Sequence, residues 1–153
     1  MKNTACLCVL IVFSLLWFGG CRKVDEEGRS NVSGRVTLDD NPIDEGNIVF
    51  APIETQAPEG AGIIGGSTRI FNGQYKIARD LGLFPGTYSI QISSVKITDP
   101  KTGGTPDRET FIGSPESFVH TELIPEKYNT NTTLQITIGE EKNQTFDFDL
   151  KSN

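Results

Sequence analysis

Six stretches of this chain alternate apolar and polar side chains or run apolar for the length of a strand. VSGRVTL sets Val32, Val36 and Leu38 on one face against Ser33, Arg35 and Thr37 on the other. QYKI alternates Tyr75 and Ile77 with Gln74 and Lys76, and TYSIQISSVKI sets Tyr88, Ile90 and Ile92 opposite Ser89, Gln91 and Ser93. LQITI contributes Leu134, Ile136 and Ile138, TFDFDL contributes Phe146, Phe148 and Leu150, and NIVFAPI is mostly apolar. Successive side chains on a strand point to opposite faces, so a period of two puts one face into a core and the other into water. Beyond residue 20 no segment keeps a 3.6-residue period long enough for a helix. The pattern predicts an all-β domain: antiparallel strands stacked as a two-sheet β-sandwich.

The residues between the runs agree. Asn72-Gly73 separates GGSTRIF from QYKI, and both positions tolerate positive φ, as a two-residue hairpin requires. The stretch GLFPGTYSIQI raises the question of a glycine-rich ligand loop. A phosphate cradle needs a helix N-terminus after it, whereas here β-branched alternation follows. Pro85 and Gly86 are instead expected at the second and third positions of a type II turn that opens a strand. Between Ile97 and Leu134 the alternation fails over a long polar segment with four prolines. Its apolar pairs Phe111-Ile112, Phe118-Val119 and Leu123-Ile124 are expected to pin it to the domain, one of them as an extra edge strand.

The first twenty residues are of another kind. Lys2 precedes the uncharged run ACLCVLIVFSLLWF from Ala5 to Phe18, then Gly19, Gly20 and Cys21. A cationic start, an apolar run and small residues at a boundary describe a secretory signal. Fourteen residues at about 1.5 Å each fall short of the roughly 30 Å hydrocarbon core. FGGC resembles the lipobox of bacterial lipoproteins, with Phe18 where that motif usually has Leu. The resemblance implies that Cys21 is acylated and becomes the first residue of the mature chain. Cys6 and Cys8 leave with the signal, so the domain has no cysteine for a disulfide or a metal site. Residues 1–20 therefore read as a lipoprotein signal peptide, 21–31 as lipidated cysteine and polar tether, and 32–150 as the domain. With Lys2 removed, 13 basic side chains face 20 acidic ones, which argues against nucleic acid as a partner.

Taken in order, VSGRVTLDDNPIDEGNIVFAPI, NGQYKI, GLFPGTYSIQI, IPEKYN and TLQITIGEEKNQTFDFDL resemble the carboxypeptidase-regulatory-like domain of small bacterial lipoproteins. The resemblance covers about residues 31–150. It implies a transthyretin-like (prealbumin-like) sandwich of about seven strands, with no established catalytic activity; no cofactor is expected. The transthyretin-like hydrolases of urate breakdown use several His and Arg residues and a particular C-terminal tail. Here His120 is the sole histidine and the chain ends DLKSN, so that chemistry is not expected.

Few residues suggest a site. LDDNPIDEG collects Asp39, Asp40 and Asp44 in one acidic turn; such oxygen clusters hold Ca²⁺ in some proteins, although this spacing fits no EF-hand. Tyr128 and a few loop phenylalanines are the aromatics that could meet a ligand, although Tyr128 in IPEKYN is expected rather to cover a sheet edge. The expectation is a non-enzymatic, lipid-anchored module of the cell envelope, facing periplasm or exterior. It would serve a structural or protein-interaction role, with the membrane and an envelope protein as partners. The alternative is a glycan- or divalent-cation-binding module using the loop 98–133.

Overall fold

The computed structural model describes residues 28–57, 65–113 and 117–153. The expected signal peptide, the expected acylation site Cys21 and the expected tether up to residue 27 lie outside the described residues. The fold is all-β. Its strands are β1 (Asn31–Leu38), β2 (Asn41–Pro42), β3 (Glu45–Thr55), β4 (Gly66–Phe71), β5 (Gln74–Ile77), β6 (Gly86–Ser93), β7 (Val95–Thr98), β8 (Val119–Glu122), β9 (Gln135–Ile138), β10 (Asn143–Thr145) and β11 (Phe148–Leu150). Among the described residues, α-helix is confined to the six residues of α1 (Arg108–Gly113). Short 3₁₀ turns occur at Arg79–Leu81 and Glu126–Tyr128.

The main sheet runs β10-β1-β5-β4-β3-β6-β9, with β2 and β11 also paired to β1, and β7 and β8 form a separate two-stranded ribbon. Alternation sets the inward face. Val32 and Val36 of β1, Ile48 and Phe50 of β3, and Tyr88, Ile90 and Ile92 of β6 are fully buried. Opposite inward residues pair across the ladders, as Ile48 does with Ile92 and Phe50 with Ile90. Residues from both ends of the strand order, including Ile138 and Phe148, join one core cluster. The sheet therefore curls. A connection of only four residues, 139–142, also carries the chain from β9 at one end of the order to β10 at the other.

Two features depart from the expected arrangement. The described chain has eleven strands instead of about seven, because β2, β10 and β11 are short pieces and the loop contributes β8. The pairing is also not wholly antiparallel, since β10 and β11 run parallel to β1. The reason is directional. β9 returns the chain to the end from which β1 starts, so the strands after it leave in the same direction as β1.

The turns explain much of the geometry. Asn72 (φ 48°) and Gly73 (φ 71°) both take positive φ and join β4 to β5, as expected. Asp39 (φ 50°) and Asp40 (φ 68°) form a second turn of this kind between β1 and β2. Gly86 departs from its expected type II turn: its φ of 154° is positive, a value that favours glycine, but it lies inside β6, paired with Thr55 and Ile138. A β-carbon there would sit 2.2 Å from the Glu54 carbonyl oxygen, beside the register shift between Pro52 and Glu54. The glycine admits a neighbouring backbone; it does not reverse the chain.

The strands give the molecule two ends. β1, β6 and β10 start at the tether end, where β5 and β9 finish. The β1–β2 hairpin, the Asn72-Gly73 turn, the finish of β11 and the β7–β8 ribbon occupy the far end.

Candidate functional site

Three of the four sequence candidates meet at the far end, around the last strand. Lys151 Nζ lies 2.7 Å from Asp40 Oδ1, Ser152 N donates to Asp39 Oδ1 at 3.1 Å, and Lys151 N donates to the Tyr128 hydroxyl at 3.2 Å. Hydrogen bonding from Ser152 holds the Asp39 carboxyl below its usual range. The hydrogen bond with Asp40 raises Lys151. Tyr128 packs against the core, with the Lys127 ammonium 5.1 Å from its ring centroid. These groups fasten the carboxyl-terminal segment to the β1–β2 hairpin. Asp44 is not part of this set; its backbone carbonyl accepts from Asn72 N at 2.8 Å. Among the described residues no three His, Cys, Asp or Glu side chains are placed to hold a metal ion. His120 lies exposed on β8, opposite Ile97.

Next to these groups lies a groove of about 210 Å³. Leu38, Pro42, Ile43, Leu123 and Ile124 line it together with the polar residues Asn41, Asp44, Glu45 and Ser94. Ile43 and Ile124 are buried, whereas Leu123 is 47% exposed. Thus Leu123-Ile124 does pin the long segment to the core, with Ile124 as the inserted side chain. Phe111 and Phe118, from the other two pairs, lie 5.7 Å apart between ring centroids. Val119 opens β8, the extra strand.

Sequence reasoning missed Glu122. Its Oε1 accepts from Ser94 N at 2.8 Å and Ile124 N at 3.0 Å, and its Oε2 from Ser93 Oγ at 2.5 Å and Asn129 Nδ2 at 3.1 Å. Burial pushes this carboxyl up, but the hydrogen bonds from Ser93, Ile124, Ser94 and Leu123 outweigh it and leave the net value lowered. Ser94 Oγ in turn donates to the Glu45 carbonyl at 2.7 Å. One carboxylate so fastens β8 to the end of β6 and to the groove wall. In sequence, HTELIP carries no spacing that marks such a hub.

A second recess, of about 440 Å³, opens at the tether end between Glu54, Pro85, Gly86, Thr137 and Glu140. Part of GLFPGTYSIQI therefore does line a concavity. The groups it offers are carbonyls, threonine hydroxyls and exposed carboxylates.

No family model matches the chain, and no curated protein matches it. Among solved structures, the crystal structure of a 9R-lipoxygenase from Cyanothece PCC8801 aligns with a TM-score of 0.34 at 12% identity. That alignment covers 82% of this chain and 17% of the lipoxygenase, so the chain spans about a sixth of that protein. A likeness of this size carries no argument about fold or activity. Among the described residues no helix is long and apolar enough to cross a membrane.

Proposed function

We propose that the protein is a lipid-anchored, non-enzymatic β-sandwich of the cell envelope, acylated at Cys21 and exposed to periplasm or exterior, that binds a protein partner at its far end. The observation that carries the binding role is the β7–β8 ribbon. All four residues of β8 are exposed, it lies outside the main sheet, and it borders a groove whose walls are largely apolar. An exposed strand edge offers main-chain donors and acceptors to an extended peptide, and an adjacent apolar groove takes alternate side chains. Two of the carboxylates nearby are already engaged: Asp40 with Lys151, and Glu122 with Ser93 and Ser94. They therefore suit a docking surface better than a reaction centre.

A two-layer, transthyretin-like arrangement is supported by Tyr88, whose buried hydroxyl donates to the Phe84 carbonyl four residues upstream at 2.9 Å. This tyrosine corner recurs in Greek-key sandwiches. The reading is tested by placing a photocrosslinker at Thr121 in the anchored protein, with Lys76 as the control position. Protein adducts at Thr121 and none at Lys76 are expected. Recovery of glycan without any protein adduct would favour the ligand-binding alternative.

A further inference from the structure

The structure points to an orientation on the membrane: we infer that the tether end rests against the bilayer, with Leu81 as the side chain that enters lipid. This rests on the lipid-anchor reading above and adds a contacting residue and a direction to it.

The chain joins the domain through a clamp. Arg29 Nη1 donates to the Gly82 carbonyl at 2.8 Å, and Arg79 Nε donates to the Arg29 carbonyl at 3.2 Å. Ser30 exchanges two backbone hydrogen bonds with Leu83, at 2.9 and 3.3 Å, and its Oγ donates to the Glu141 carbonyl at 2.6 Å. The Arg29 guanidinium lies 4.6 Å from the Phe84 ring centroid. The direction in which the chain leaves the domain is therefore fixed beside residues 79–84.

From Cys21 to Gly28 the chain advances seven residues. Such a stretch spans about 25 Å fully extended and about 15 Å as a flexible coil. The eight residues of β6 separate the two ends of the domain by roughly another 25 Å. The tether end thus lies within reach of the anchoring leaflet. The far end reaches it only if the tether doubles back along the sheet.

On that near rim the 3₁₀ turn Arg79–Leu81 presents Leu81 at 71% exposure, next to the clamp residue Gly82. A lone exposed leucine is ordinary on a free surface; here it is held at a short, bounded distance from lipid. The segments that meet at this end carry Arg29, Arg79 and Lys142 beside Asp80, Glu140 and Glu141, and Glu54 lines the recess with Glu140. This balance of charge makes no demand for anionic headgroups. The fitting surface is a zwitterionic one that accepts an apolar side chain at its interface.

The test uses the full lipidated protein in phosphatidylethanolamine–phosphatidylcholine vesicles, with or without brominated acyl chains. Trp17 leaves with the signal, so Leu81→Trp and Phe71→Trp each carry one reporter. Phe71 is a fair control, being 63% exposed at the far end. Brominated lipid is expected to quench most of the emission of Leu81→Trp and to leave Phe71→Trp unchanged. Equal quenching of both, of neither, or of Phe71→Trp alone overturns the inference. Intact mass on the same samples separates the two readings. An acylated Cys21 with an unquenched Leu81→Trp overturns the orientation alone, whereas an unmodified Cys21 overturns the anchor and the orientation with it.

Discussion

Gly34 shows how far a single residue here is determined by its neighbours. A β-carbon at that position would lie 1.8 Å from the Phe146 carbonyl oxygen and 2.7 Å from its carbon. The same oxygen accepts the Tyr75 hydroxyl at 2.7 Å, and burial, followed by the nearby Asp147 charge, pushes that phenol well up from its ordinary value. Backbone cannot yield as a flexible side chain does. Gly34→Ala is therefore expected to destabilise the fold by about 3 kcal/mol or more, read as a lower urea midpoint. A midpoint within error of the wild type would show that β1 and the segment before β11 separate easily. Tyr88 tests another buried contact. Tyr88→Phe leaves the Phe84 carbonyl without its partner and is expected to cost about 1–2 kcal/mol in the same assay.

At the scale of elements, the attachment of the β7–β8 ribbon depends on Glu122. Because its folded-state value is lowered, the carboxylate contributes stability above its unfolded value, near 4.5. That contribution is lost as pH falls from about 5.5 through the lowered folded value. Glu122 is largely exposed, so hydrogen bonding and not charge alone sets its size: about 1–2 kcal/mol for Glu122→Gln at pH 7. The gap between variant and wild type should narrow below pH 4, by thermal melts across the range. A constant gap would mean that shape, not ionisation, holds the ribbon. The same elements show what a sequence discloses. Asn72-Gly73 was legible because that pair announces positive φ, and β1, β5 and β6 because their alternation is strict. Asp39-Asp40 was legible as an acidic turn, but its positive φ was not, because neither residue is a glycine. Glu122 escaped notice because its partners, Ser93, Ser94 and Asn129, are brought to it only by tertiary folding. The parallel pairing of β10 and β11 with β1 was hidden too, since periodicity assigns faces to strands but not neighbours.

On the scale of the whole molecule, the last strand completes the first. Val36, Thr37 and Leu38 pair with Phe148, Asp149 and Leu150, and both Phe148 and Leu150 are buried. Burial of two such side chains is worth about 3–6 kcal/mol, a large part of the 5–15 kcal/mol that holds a domain of this size. A chain truncated before Phe148 should lose its cooperative unfolding transition in calorimetry. Retention of a sharp transition would show that the remaining strands close the core without β11.

The parallel pairing of terminal strands also decides how the protein bears load. Force applied to the chain ahead of Asn31 enters β1 at that residue, and force applied at the carboxyl terminus enters β11 at Leu150, the opposite end of the same ladder. Traction between these two points then slides the two strands along their length, straining their hydrogen bonds all at once. Hairpin strands pulled from one end would instead unzip rung by rung. This placement of the termini makes the domain stiff to traction along its length.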